Sequence, residues 1–113
     1  MPDSPQYEAL VYWTAGSDGG LSEPPTSLRL MHPAHFAEDG PRWPTPESWS
    51  VVLELDAPPT LDAGPSRGRV SFLFPDGPHK RLQPGRTFDY YMGVRKIARI
   101  EVGERVESEK RDI

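Results

Sequence analysis

A chain of 113 residues holds one domain of ordinary size, with too few residues to close a second core. Thirteen Lys and Arg against 17 Asp and Glu leave a formal charge of -4, which excludes a protein whose whole surface neutralises nucleic-acid phosphates. No cysteine is present, so disulfides and thiolate chemistry are excluded, and zinc would have to be held by His and carboxylates.

Residues 1–5 read as a flexible polar arm with no basic segment and apolar core of an export signal. No run approaches the ~20 apolar residues needed to cross a bilayer, so a cytoplasmic protein is expected. QYEALVYWT, residues 6–14, is rich in aromatic and branched residues and predicts a first strand with Tyr7, Ala9, Val11 and Trp13 on one face. AGSDGGLSEPP follows as a loop, because glycine pairs tolerate positive φ and prolines cannot donate to a ladder.

TSLRLMH, residues 26–32, alternates Leu28 and Leu30 against Arg29 and Met31 and predicts a second strand. PAHFAEDGPRWPTPE is too rich in proline to be regular, yet Phe36 and Trp43 require this long loop to pack on something. SWSVVLELD has the clearest period of two, with Trp49, Val51, Leu53 and Leu55 inward and Ser50 and Glu54 outward. RVSFLFP, residues 69–75, predicts Val70, Phe72 and Phe74 on one face.

FDYYMGVRKIARIEV then reads as a hairpin turning at Gly93, with Phe88, Tyr90 and Met92 on one face before the turn and Ala98, Ile100 and Val102 on one face after it. Ile97 breaks the alternation and predicts a bulge or twist near Arg95 and Lys96. GERVESEKRDI carries too few apolar residues to bury much, so 104–113 is expected to be a frayed charged tail around a single domain at 6–103. Six antiparallel strands with irregular connections are best closed as a small all-β barrel of Greek-key type, which removes exposed edges.

The order of these features resembles the third, C-terminal domain of translation elongation factor Tu, and more closely the stand-alone bacterial proteins made of that domain alone. The resemblance rests on Tyr7-Glu8-Ala9-Leu10-Val11, on Gly19-Gly20 followed by Pro24, on Leu28 to His32, and on Leu82-Gln83-Pro84-Gly85-Arg86-Thr87-Phe88 ahead of Gly93 and Arg95-Lys96. It implies a non-catalytic barrel that binds a protein partner or tRNA. In the family an arginine after the paired glycines lies in the region that meets tRNA; Leu21 stands there here. No phosphate-binding loop is present, so GTPase activity does not follow.

For a protein partner the expected surface is the loop with Phe36, Arg42, Trp43 and Trp49, because aromatic and Arg anchors dominate interface energies. For RNA the expected residues are Arg69, Arg86, Arg95, Lys96 and Arg99, since the basic side chains gather in the second half. His32 and His35, with Glu38 and Asp39 after them, have the residue types of a metal site, but Pro33 spoils the spacing of an effective His pair. No serine lies in a nucleophile elbow and no carboxylates are spaced for acid–base work, so neither catalysis nor a cofactor is expected.

Overall fold

The computed structural model describes residues 4–45, 48–61 and 64–106. The predicted tail beyond Val106 and the first three residues of the predicted arm lie outside them. Six strands run in chain order as β1 (Tyr7–Trp13), β2 (Arg29–His35), β3 (Trp49–Leu55), β4 (Ser66–Phe72), β5 (Thr87–Met92) and β6 (Arg95–Arg105). Every pair is antiparallel and the sheet closes in the ring β1-β4-β3-β2-β5-β6. β1 lies beside β4 rather than beside its chain neighbour β2, a Greek-key order that the long β1–β2 connection makes possible.

The inward residues form one core. Val11, Val51, Leu53, Val70, Phe72, Tyr90, Ile100 and Val102 from five strands are almost wholly buried, and Leu82 joins them from the segment before β5. The hydroxyl of Tyr90 donates to the carbonyl of Val51 at 2.7 Å, so its polar end is satisfied inside the core. Burial raises its phenol well above the ordinary value.

β2 begins and ends three residues later than the sequence predicts, running through Pro33 to His35. The backbone explains how. Leu55 donates to Leu28, so the even-numbered residues of β2 bond toward β3 and Pro33 turns its missing N–H the other way. On that side β5 pairs only with Ala34 and His35. β2–β5 is therefore the thin seam of the barrel. The backbone groups of Arg29 on the same side are occupied by Ser27, whose hydroxyl accepts from the Arg29 N–H at 3.1 Å and donates to its carbonyl at 3.0 Å.

β4, by contrast, starts earlier than expected, at Ser66, and ends at Phe72, which leaves Phe74 exposed rather than inward. The hairpin turns on Gly93 and Val94, with Met92 opposite Arg95 and Gly93 at a φ of 65°, the geometry of a two-residue turn led by glycine. The bulge falls one position beyond the expected pair. Tyr90 faces Ala98 and Tyr91 faces Lys96, which leaves Ile97 as the extra residue, and both Ile97 and Ala98 point inward. The carbonyl of Ile97 accepts from Thr14 at 3.0 Å, which ties the bulge to the end of β1. β6 continues through Gly103 to Arg105, and the Val106 N–H donates to Gln6 at 2.8 Å.

Candidate functional site at the hairpin end

The loop after β2 leaves one end of the barrel and returns along its outside toward the other. At the first end Phe36 enters the core, 2% exposed, with ring centroids 4.8 Å from Phe88 and 5.9 Å from Phe72. The guanidinium groups of Arg81 and Arg86 lie over its ring at 5.4 and 5.9 Å. Both arginines are held by the one-turn helix Ala37–Asp39: Arg81 reaches Asp39 at 3.1 Å, and Arg86 grips Glu38 with bonds of 2.6 and 2.8 Å. Phe36 is thus a core plug and does not belong to a binding surface, contrary to the expectation from the sequence.

The two hydrogen bonds from Arg86 hold the Glu38 carboxyl down to about 2. A carboxylate depressed by folding stabilises above its unfolded pKa, near 4.3, and the benefit is lost as pH falls toward its folded value. The stability difference between the native chain and Glu38→Gln is expected to be constant above pH ~5.5 and to shrink steadily as pH falls toward ~2. Urea denaturation of both proteins across that range checks it; a difference independent of pH would assign Glu38 a role other than its charge.

Farther along the loop Trp43 crosses the thin seam. Its ring stacks on Tyr91 with centroids 4.3 Å apart, and its indole N–H donates to the Gly93 carbonyl at 2.9 Å. His35 completes the cluster, 5.5 Å from Trp43 and 6.2 Å from Tyr91, and its Nε2–H donates to Gly40 at 2.7 Å. Around this strap the hairpin tip is apolar and exposed. Val94 is 81% exposed and Met92 40%, while Arg42 and Arg95 stand exposed beside Trp43 and Val94.

Trp49 is half-buried against the core and lies apart from this tip, at the Ala34 end of β3. Of the four residues expected to form one surface, then, only Arg42 and Trp43 are brought to it. Met92 was expected on the face of Phe88 and Tyr90 but is exposed, and Val94 was assigned to no surface. The signal was present: an apolar residue in a two-residue turn, or next to it, has no core to enter.

Next to the tip a groove of about 620 Å³ separates the hairpin from the paired-glycine loop, with Asp18 and Ser22 on one wall and Tyr91, Val94, Arg95 and Lys96 on the other. The N–H groups of Gly19 and Gly20 are spent on Gly16 and Ala15, so the loop offers no backbone cradle to a phosphate. Gly20 is required by close approach, since a Cβ there would lie 2.0 Å from the Thr14 carbonyl oxygen. Leu21 packs against the core.

The five expected RNA-binding residues do not form one patch. Arg86 is committed to Glu38, and Lys96 and Arg99 share Asp89 at 3.4 and 3.3 Å. Arg69 lies on β4, across the ring from the β5–β6 hairpin. Arg95 alone of the five is at the tip without an ion pair among the described residues. His32 and His35 fall on opposite faces of β2; His32 turns inward onto Tyr90, 5.5 Å away, and burial lowers its imidazole below the ordinary value. Among the described residues no three His, Asp or Glu side chains converge as metal ligands, and no helix is long and apolar enough to cross a membrane.

No known protein family matches the sequence, and no characterised protein is significantly similar to it.

Proposed function

We propose that this chain is a non-catalytic binding module, a barrel of the elongation factor Tu third-domain type, that engages a protein partner through its hairpin tip. The observation that carries the reading is the exposed pair Met92 and Val94 set against Trp43 and Tyr91, with Arg42 and Arg95 at the rim. An aromatic anchored in place and surrounded by apolar and Arg side chains is the composition of interface hot spots. The tip is also fixed before binding, because Trp43 stacks on and bonds to the turn, which lowers the entropy lost on association.

The RNA reading has less support, since three of its five cations already have carboxylate partners in the chain. Affinity capture on nuclease-treated and untreated lysate tests both. The native chain is expected to retain a defined protein that Val94→Asp and Arg42→Glu each release, with no dependence on nuclease. Retention of tRNA that weakens steeply with salt, and is insensitive to Val94→Asp, would overturn the protein reading in favour of RNA.

A further inference from the structure

The outer face of β3 and β4 sorts its charges by strand. Down β3 the outward residues after Ser50 and Val52 are Glu54 and Asp56; alongside them on β4 lie Arg69 and Arg67. Glu54 stands opposite Arg69 in the ladder, and Asp56 donates its N–H to the Arg67 carbonyl. An acidic column therefore lies beside a basic one.

These charges are not satisfied by each other. Glu54 directs one oxygen to Gln6, 3.4 Å away, and the other to Arg29 at 3.6 Å. Arg67, Arg69 and Asp56 are exposed, and among the described residues none of the three has an ion-pair partner. Beyond them the face is uncharged. Val52 is covered although it lies on the outside, with Met31 and Ser71 as its cross-strand neighbours.

From this pattern we infer that the β3–β4 face binds a second copy of the same chain. A two-fold axis in the interface, parallel to the strands and between β3 and β4, sets each acidic column over the partner copy's basic column. Glu54 then meets Arg69 and Asp56 meets Arg67, each contact made twice. Although Arg69 also stands opposite Glu8 in the β1 ladder, it makes no ion pair there, and this arrangement gives Asp56, Arg67 and Arg69 the partners that they lack among the described residues. Two seven-residue strands offer a face only about 23 Å long, well short of a standard interface of ~1,600 Å², so the dimer is weak and salt-sensitive. The face lies across the ring from β5 and β6, which leaves both hairpin tips of a dimer free.

Sedimentation velocity on the full chain tests this with charge swaps at positions that make no ion pair within the fold. The native protein is expected to show a rising sedimentation coefficient toward about 0.5 mM at low salt, and a monomer at about 0.5 M salt. Asp56→Arg and Arg67→Glu alone should each weaken dimerisation by roughly tenfold or more, and mixing the two should restore it, because every contact across the axis is then complementary. Circular dichroism of each variant reports its folding independently. A native chain that stays monomeric at low salt, or single variants that dimerise as well as the native chain, would overturn the inference.

Discussion

Phe36→Ala is expected to cost the barrel about 3–5 kcal/mol, the range for removing a buried aromatic ring and leaving its cavity. The ring is enclosed on all sides by fixed groups. Phe72 and Phe88 lie beside it in the core, and two guanidinium groups over it are pinned in turn by Glu38 and Asp39. Such surroundings cannot collapse into the vacated space without breaking the ion pairs. Since a domain of this size has ~5–15 kcal/mol in total, the variant is expected to lose a large share of its stability and to unfold at a much lower urea concentration. Phe36→Leu, which keeps most of the volume, should lose less than half as much. Urea midpoints of the three proteins give the comparison; a loss under ~1 kcal/mol for the alanine variant would mean that the loop end is not part of the core.

Trp43→Ala should act in two ways that can be separated. It removes the stack on Tyr91 and the bond to Gly93 from the seam, where β2 and β5 share only two ladder pairs, and is expected to cost about 2 kcal/mol. The signature is local: amide exchange at His35 and Tyr91 should accelerate before that of β3 and β4. It should also abolish capture of the proposed partner. Val94→Asp is the control, because its exposed side chain contributes nothing to the fold, and it should lose the partner at unchanged stability. Unaltered exchange at His35 in Trp43→Ala would show that the seam closes without the strap, and normal capture by Val94→Asp would remove the tip from the proposed interface.

The parts of the fold legible in the sequence are those where one face is buried and the other wet. β3 follows its period of two from Val51 to Leu55, and the hairpin was readable from Gly93 and the alternation on either side. The strand ends were less legible, because they depend on neighbours. Pro33 is tolerated inside β2 only because the seam asks for no N–H there, and Gly68 is an inward strand residue because the Glu54 carbonyl oxygen would stand 2.4 Å from any Cβ. No local pattern announces either condition.

The site was harder to read for a related reason. Phe36 and Trp43 sit seven residues apart in one proline-rich loop and look alike as sequence, yet one plugs an end of the barrel and the other straps its side. What separates them is where the loop crosses the barrel rim. The basic residues posed the same difficulty, since Arg86 is neutralised by a glutamate 48 positions away. Charge counted along the chain cannot see that pairing.

The hydrogen bond from Val106 to Gln6 ties together the two ends of the barrel's own chain, where β6 lies beside β1. A linker of a few residues can bridge them without moving either strand, and the backbone can instead be opened at an exposed turn, giving a circularly permuted chain with the same core. By the same geometry the barrel can be spliced into a surface loop of a carrier protein, entering and leaving at one point and presenting its hairpin as a display element.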